Sequence, residues 1–306
     1  MKKILTKKVV TKPVPDIDEL LNLIMMSKSD LIKIVNKVPG SYIQIPIKKS
    51  DGTIRYLDAP NKELKKLQKK ILDYYIGQIK LPHFVFGIGK NKTIVENVKS
   101  HLLNKELLVI DIKNFFPSVH YSRVKSLFSD FGCDDEVSTI LTKLTTLNYS
   151  LPQGAPTSPY VASLSLCNLD KRLYQTCKLN RLTYTRYFDD IAISGKQISE
   201  NLILDFITII NQEGYECKKE KIHHYKNGEK RKLTGLIIEN KTLDIEDKRE
   251  LLSYITELKN YGLIKLRSDN PEKERKILQG KVNFISNVLP EYGKSLKAIF
   301  AEIEWH

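Results

Sequence analysis

The sequence is poor in cysteine and tryptophan and contains no long apolar run. Its 306 residues include four cysteines, none of them in a CxxC pair, and one tryptophan. The missing pairs exclude a zinc ribbon and a thioredoxin-like redox motif. No uncharged apolar stretch approaches the ~18 residues of a membrane span, and no apolar signal-peptide core follows the basic N-terminus. We therefore expect a reduced, cytoplasmic protein without a membrane partner.

Acidic residues are scarce relative to basic ones. The chain has 36 Asp and Glu against 50 Lys and Arg, a formal net charge of +14. Twenty of the basic residues but only nine of the acidic ones lie within residues 1–100. This imbalance disfavours an ordinary acidic metabolic enzyme and favours a polyanionic partner, either nucleic acid or an anionic membrane. No basic amphipathic helix with inserted aromatic residues is evident, so we favour nucleic acid.

Hydrophobic periodicity predicts a mixture of helices and strands. Apolar and polar residues alternate on both sides of an Asp51-Gly52 turn signal, as in a hairpin. Strands are predicted at 42–47, 53–57, 107–112, 215–225 and 232–238, and two further short strands within 182–194. Helices are predicted as a pair within 16–35, from Pro60-Asn61, at 120–130, 134–147, 158–178 and 202–214, and over most of 244–306. This order indicates an α+β fold whose antiparallel sheet carries acidic residues.

Three carboxylates stand at the ends of apolar strand segments. Asp111 follows Leu107–Ile110, and Asp189-Asp190 precedes another apolar run. A carboxylate there is costly unless its charge is offset, although Asp also favours turns and strand ends for purely structural reasons. Hard carboxylate oxygens suit Mg²⁺. Two such ions can activate a hydroxyl nucleophile and stabilise a leaving pyrophosphate.

Three segments together resemble the motifs of reverse transcriptases. Asp111–Pro117 resembles the strand with the first catalytic aspartate, 153–159 (QGAPTSP) the QGxPxSP box, and Tyr187–Asp190 (YFDD) the YxDD box. All three in this order are far more specific than any one alone. The resemblance spans nearly the whole chain and implies a right-hand polymerase fold with fingers, a palm containing the antiparallel sheet, and a helical thumb. It places an N-terminal helical extension at 1–36, fingers at 37–106 and 120–150, palm at 107–119 and 151–240, and thumb at 241–306.

The resemblance implies a catalytic group of four residues. Asp111, Asp189 and Asp190 would hold two Mg²⁺ ions, and Lys221 would protonate the leaving pyrophosphate. The neighbouring lysines leave the assignment of Lys221 open.

A second set of residues would bind the dNTP substrate. Arg55 would grip the triphosphate with its guanidinium fork, and Lys48 would assist. Phe116 would exclude a 2′-hydroxyl by its bulk, and Gln153 would contact the sugar and align the template. Lys48 also fits a solvated hairpin lysine, and Phe116 a core aromatic residue.

Two further motifs resemble those of bacterial retron reverse transcriptases. Asn97–His101 resembles NAxxH with Val98 in place of Ala, and 233–235 resembles VTG with Leu in place of Val. The resemblance implies an enzyme that binds its own structured non-coding RNA (msr–msd), primes from the 2′-hydroxyl of a guanosine and makes branched msDNA. It also implies a separate effector protein in anti-phage defence. Asn97, His101, Thr234 and Gly235 would help to recognise the RNA, although His101 also fits a satisfied core or surface histidine.

Two alternatives remain open from the sequence. One is a stand-alone reverse transcriptase of another bacterial defence or diversity-generating system, or a degraded intron relative. The other is a catalytically inactive RNA-binding module, against which the presence of all three acids counts. Phe188 replaces the Ala common in the YxDD box of bacterial relatives and would lie beside the primer terminus.

Overall fold

The computed structural model describes residues 14–48 and 52–305. Asp51, one half of the predicted hairpin turn, lies outside the described residues. None of the helices in the described part of the chain is long and apolar enough to cross a membrane.

The described residues form thirteen α-helices and ten strands, and the predicted α+β class is confirmed. The helices are α1 Ile17–Ile24, α2 Lys28–Lys37, α3 Lys62–Tyr74, α4 Ile94–Lys99, α5 Phe115–Ser118, α6 Tyr121–Asp130, α7 Asp135–Thr145, α8 Ser158–Ser165, α9 Cys167–Leu179, α10 Glu200–Gln212, α11 Lys248–Tyr261, α12 Pro271–Val288 and α13 Pro290–Ala301. The strands are β1 Tyr42–Lys48, β2 Ile54–Pro60, β3 Val85–Phe86, β4 Glu106–Asp111, β5 Thr183–Tyr187, β6 Asp190–Gly195, β7 His223–Tyr225, β8 Arg231–Leu233, β9 Leu236–Glu239 and β10 Thr242–Asp244.

A five-stranded sheet forms the centre of the molecule. Its order is β3-β5-β6-β4-β7, and every neighbouring pair is antiparallel except β3 with β5. The middle strands are almost fully buried, as expected for apolar runs such as Leu107–Ile110 with elements on both faces. Two smaller sheets lie outside it, the β1-β2 hairpin and the β8-β9-β10 sheet.

Two hydrophobic clusters enclose this sheet. The larger one joins α1, α2, α3 and α6 to α10 with strand residues such as Ile110 and Ile191. The second joins α11, α12 and α13 to strand residues such as Leu107 and Ala192. The two clusters therefore connect the N-terminal helices and the C-terminal helices to the same strands.

Local sequence signals account for most helix ends. Ser27 and Asn61 cap α2 and α3, and each side chain accepts a backbone N–H three residues later. Asn270 caps α12, and Pro271 and Pro290 stand at the first positions of α12 and α13. The breaks predicted near 270 and 290 are confirmed.

Three local predictions are wrong. The helix predicted over 158–178 is divided at Leu166 into α8 and α9. The strand predicted over 215–225 is reduced to β7, preceded by a 3-10 turn at Lys219–Lys221. The strand predicted over 232–238 is divided by the Thr234-Gly235 turn into β8 and β9. The two short strands predicted within 182–194 are β5 and β6, as expected, whereas β3 beside them was not predicted.

Candidate active site

The three predicted carboxylates converge at one edge of the central sheet. Asp111, the last residue of β4, lies directly opposite Asp190, the first residue of β6. Asp190 also pairs with Tyr187 across a two-residue turn formed by Phe188 and Asp189. Strand register therefore brings together acids that are separated by nearly 80 residues of sequence.

The turn that carries Asp189 has an unusual backbone conformation. Phe188 has a φ of +53°, whereas Asp189 does not have a positive φ. This pattern is that of a type II′ turn, whose first central position favours glycine. A bulky residue there is strained, and such strain is frequently found at functional sites. The Asp189 carbonyl accepts a 3.1 Å hydrogen bond from the Ile112 backbone N–H, which ties the turn to the end of β4.

A lysine contacts the first of the three acids. The Lys113 N–H donates to the Glu216 carbonyl and the Lys218 N–H donates to the Asp111 carbonyl, so the segment before β7 runs beside the end of β4. The following 3-10 turn brings Lys221 back, and its Nζ lies 2.7 Å from Asp111 Oδ2. The sequence did not decide which of the neighbouring lysines would lie beside the acids. In the structure it is Lys221, rather than Lys218 or Lys219, that contacts Asp111.

Burial and mutual repulsion act on the acids. Burial, followed by the charges of Asp189 and Asp111, raises the pKa of Asp190 to about 7. Burial also raises the pKa of Asp189, against the positive charges of Lys221 and Arg55. The bond to Asp111 raises the pKa of Lys221 and holds it as an ammonium ion. The site thus concentrates negative charge that a cation would relieve.

The donor set fits a hard divalent cation in chemical type. Within residues 14–48 and 52–305, no group of three or more His, Cys, Asp or Glu side chains is arranged so that the group could hold a metal ion. Mg²⁺ is usually held by one or two carboxylates completed by water and substrate phosphates. Asp111 and Asp190, opposite each other with Asp189 beside them, match that kind of open site.

The β1-β2 hairpin contributes Arg55 to the same region. Arg55 is exposed and lies opposite Ile47. Its positive charge acts to lower the pKa of Asp189. Lys48 comes directly after Ile47, so it projects from the opposite face of the hairpin. The structure therefore places Arg55 and Lys48 on opposite faces of the hairpin, and the charge of Arg55 acts on Asp189.

The loop before α8 is joined to the hairpin through its backbone. The Gln153 carbonyl accepts a 2.9 Å hydrogen bond from the Asp58 N–H, and the Gln153 side chain is half-buried. Gly154 has a φ of +143°, and a Cβ there would lie 2.6 Å from the Asp58 carbonyl oxygen. Only glycine permits this close approach of two backbones.

Phe116 is half-buried and lies five residues after Asp111 in the chain. It follows Asn114, whose φ of +49° starts the short α5, and its ring lies 5.1 Å from that of Phe115. It also packs against the larger hydrophobic cluster. Its position is compatible with both roles considered above, a core aromatic residue and a side chain beside the nucleotide.

The residues predicted to recognise RNA lie largely inside the molecule. His101 has no exposed surface, and its ring nitrogens lie 2.6 Å from Ser194 Oγ and 2.7 Å from Thr185 Oγ1. Burial lowers its pKa to about 3. The side chain of Asn97 is equally buried, and neither of its amide atoms has a hydrogen-bond partner in the described part of the chain. Both residues could affect RNA binding only indirectly, and His101 matches the satisfied core histidine considered as its alternative.

Thr234 and Gly235 form the turn between β8 and β9. Both have positive φ, +46° and +83°, as a type I′ hairpin turn requires. Thr234 is β-branched, so this conformation is strained, and its hydroxyl is buried without a partner among the described residues. Gly235 is exposed beside a cavity bordered by α11 and α12. Their predicted role in RNA recognition stays a prediction.

Sequence reasoning missed a buried ion pair beside the Phe188-Asp189 turn. Arg186 in β5 and Asp170 in α9 both have fully buried side chains and are joined by a 2.7 Å salt bridge. An arginine one residue before the YFDD segment, at a position that alternation assigns to the sheet interior, was the available signal.

Comparison with known proteins agrees with this geometry. Residues 47–238 match the family model described as "Reverse transcriptase (RNA-dependent DNA polymerase)". The chain is 27% identical over 277 residues to the Retron Mx65 reverse transcriptase of Myxococcus xanthus, covering 83% of this chain and 63% of that protein. It is 29% identical over 303 residues to the Retron Se72 reverse transcriptase of Salmonella heidelberg, covering 95% and 80%.

A third relative shows the same kind of similarity over a shorter stretch. The Retron Ec86 reverse transcriptase of Escherichia coli is 32% identical over 194 residues, 63% of this chain and 61% of that protein. The chain thus spans between 61% and 80% of the length of these three relatives. The matched family model covers more than half of the chain and includes all three acids. The chain therefore belongs to the reverse transcriptase family, the RNA-dependent DNA polymerases, and is similar to the enzymes of bacterial retrons.

Proposed function

We propose that this protein is a retron RNA-directed DNA polymerase. It would copy part of its own structured non-coding RNA from a 2′-hydroxyl primer into branched msDNA, and act with a separate effector in anti-phage defence. The convergence of Asp111, Asp189 and Asp190 at the sheet edge, with Lys221 on Asp111, is the observation that carries the polymerase activity. The retron relatives and the Asn97–His101 and 233–235 motifs support the narrower assignment.

The acids and Lys221 divide the chemistry of nucleotidyl transfer. Asp111, Asp189 and Asp190 would hold Mg²⁺, which when bound activates the priming hydroxyl and stabilises charge on the phosphates. Lys221 is positioned beside the acids as an ammonium ion and would deliver its proton to the departing pyrophosphate oxygen. Burial of the acids lowers the local dielectric and strengthens these interactions.

The surrounding residues would orient the nucleotide. The exposed Arg55 guanidinium on the hairpin would bind the triphosphate. Gln153, tied to the hairpin through Asp58, would align the sugar and template base, and Phe116 would select against ribonucleotides. Fingers, palm and thumb would correspond to the divisions proposed from the sequence, with the central sheet in the palm.

Primer extension tests the activity directly. The purified protein is given an RNA template, an annealed DNA primer, dNTPs and Mg²⁺. We expect extension by the wild type and none by the Asp189→Asn/Asp190→Asn double variant. A matched control, Asp130→Asn/Asp205→Asn, removes two exposed carboxylates that are not among the three predicted acids and should extend normally. Extension by the first double variant would mean that the site is wrongly assigned.

Nucleic acid that copurifies with the protein tests the retron assignment. Sequencing should find a DNA joined through a 2′,5′ linkage to a guanosine of an RNA encoded next to the gene. Linear DNA alone, with no such inverted-repeat RNA nearby, would favour a stand-alone reverse transcriptase of another system. Tight RNA binding without any extension would favour the inactive RNA-binding module.

A further inference from the structure

The catalytic turn rests on a buried arginine whose donors are all used. Arg186 Nε and Nη2 bind the two carboxylate oxygens of Asp170, each at 2.7 Å. Nη2 also donates to the Ser163 carbonyl at 3.1 Å, and Nη1 donates to the Phe188 carbonyl at 2.8 Å and weakly to Ser163 Oγ at 3.5 Å. The planar guanidinium thus connects three separate parts of the site: α8, α9 and the turn.

Asp170 is itself held in place. Its Oδ1 accepts a second bond, at 2.6 Å, from the hydroxyl of Tyr184 on β5. The side chains of both members of the pair are fully buried. A buried ion pair often contributes little or nothing to stability relative to well-packed apolar residues. Its presence beside the turn therefore needs another reason.

The position of the Phe188 carbonyl supplies that reason. The turn has two central residues, and the carbonyls of both are anchored, that of Phe188 by Arg186 and that of Asp189 by the Ile112 N–H. The strained φ of Phe188 needs such external support, because an unanchored chain would relax away from it. The two anchors together orient the peptide groups on both sides of Asp189.

We propose that Arg186, oriented by Asp170 and Tyr184, is a positioning residue that fixes the Phe188-Asp189 turn and thereby the Asp189 carboxylate. It also couples this turn to α8, the helix that begins within the QGAPTSP segment, through the Ser163 carbonyl. Arg186 acts on the turn through the Phe188 carbonyl, so its effect on catalysis is geometric. The inference rests on the proposed polymerase function and adds a residue to its machinery.

The test replaces the network by apolar residues, so that none of Arg186, Asp170 and Tyr184 is left without its partner in the other two. The triple variant Arg186→Met/Asp170→Leu/Tyr184→Phe should fold with a thermal midpoint close to that of the wild type. Its kcat should fall about 10- to 100-fold, because small displacements of catalytic groups have effects of this size. The KM for dNTP should change much less, since Arg55 and Gln153 are untouched. The Mg²⁺ concentration for half-maximal activity should rise.

A second ion pair on α9 provides a matched control. Arg172 lies two residues after Asp170 on α9 and binds Glu213 Oε1 at 2.8 Å through Nη1 and Gln212 Oε1 at 2.5 Å through Nη2. Arg172→Met/Glu213→Leu should leave kcat, KM and the Mg²⁺ requirement unchanged. Arg186→Lys keeps the charge beside Asp170 but replaces a fork of donors by one nitrogen. Arg186→Lys should show an intermediate loss of kcat. If the triple variant does not fold, the kcat of Arg186→Lys decides whether Arg186 positions the turn.

Two outcomes separate this inference from the proposed function. Calorimetric titration with Mn²⁺, which needs no turnover, should show weaker binding to the folded triple variant than to the wild type. Unchanged Mn²⁺ affinity together with unchanged kcat in the folded variants would overturn the positioning role of Arg186. The proposed polymerase function would not be affected by that result. A wild-type protein that binds Mn²⁺ but never extends a primer would instead contradict the polymerase function, and the Mn²⁺ comparison would still decide the role of Arg186.

Discussion

The ammonium group of Lys221 lies 2.7 Å from Oδ2 of Asp111, across 110 residues of sequence. The contact exists because 216–218 runs beside the end of β4 before the chain turns back at Lys219–Lys221. It selects one lysine from a run of three and places a proton donor next to the acids.

Replacing this lysine should slow catalysis without unfolding the protein. Lys221 is about half exposed, so Lys221→Gln removes a proton donor but little packing. We expect kcat to fall on the order of 10²-fold, the lower end of the range for a general acid. Single-turnover extension measures it, with Lys219→Gln, an exposed neighbour, as the control. Equal losses in both variants would contradict a specific role for Lys221.

A methyl group at Gly154 should disturb the contact between the hairpin and the loop before α8. The Ala Cβ would meet the Asp58 carbonyl at 2.6 Å, so the two backbones must separate. We expect a loss of about 1–3 kcal/mol in the free energy of unfolding and a higher KM for dNTP. Gly132→Ala is the control, because Gly132 also has positive φ (+94°) but open space around it. A similar KM in both variants would show that backbone strain alone is responsible.

The Phe188 ring should keep its position only while residue 87 has no side chain. A Cβ at Gly87 would lie 2.7 Å from the Phe188 ring, so Gly87→Ala should push that ring and its turn out of place. We expect extension activity to drop in Gly87→Ala and to recover largely in Gly87→Ala/Phe188→Ala. A double-mutant cycle measures the coupling, with about 1–2 kcal/mol expected for residues in contact. Additive effects would argue against steric coupling.

The buried His101 should make stability depend on pH. Its pKa is lowered from 6.5 to about 3 by burial, so between these values the unfolded chain binds a proton that the folded protein does not. The stabilisation is therefore complete above pH 6.5 and falls away as pH falls, at up to about 1.4 kcal/mol per pH unit. Between pH 7 and pH 5, urea unfolding should show a decrease in stability that is smaller by about 2 kcal/mol in His101→Gln than in the wild type. The exposed His120→Gln should behave like the wild type.

The lysine face of α3 should account for much of the salt dependence of RNA binding. Four lysines of this helix are exposed: Lys62, Lys65, Lys66 and Lys69. The fifth, Lys70, is half-buried and donates to the Ile24 carbonyl at 2.5 Å. Removing one lysine–phosphate interaction should flatten the slope of log K against log salt by about 0.7–0.9. Changing these four lysines to Gln should therefore flatten it, as measured by filter binding of the copurifying RNA. The control changes Lys265, Lys273, Lys281 and Lys297, in the near-neutral C-terminal part, to Gln. A slope that is flattened more by this control than by the α3 variant would contradict the prediction.

The amino-acid sequence alone determined the α+β class, most helix and strand positions, and the three acids with the motifs that surround them. These features are local, because capping residues, alternation and apolar runs act over a few positions. Asp111 and the YFDD segment were recognisable since each follows or precedes an apolar strand. The order of the motifs along the chain was enough to indicate the family.

Only the tertiary structure decided which side chains meet. The pairing of Asp111 with Asp190 depends on the register of β4 against β6, and a shift of one residue would turn every side chain to the opposite face. The packing of the sheet places His101 inside the molecule rather than on an RNA-binding surface, and the hairpin register directs Lys48 away from Arg55. Arg186 became visible as a support for the turn only through its contacts with Asp170 and Phe188. Such contacts join distant segments, so their geometry is set by packing of the whole sheet rather than by any local pattern.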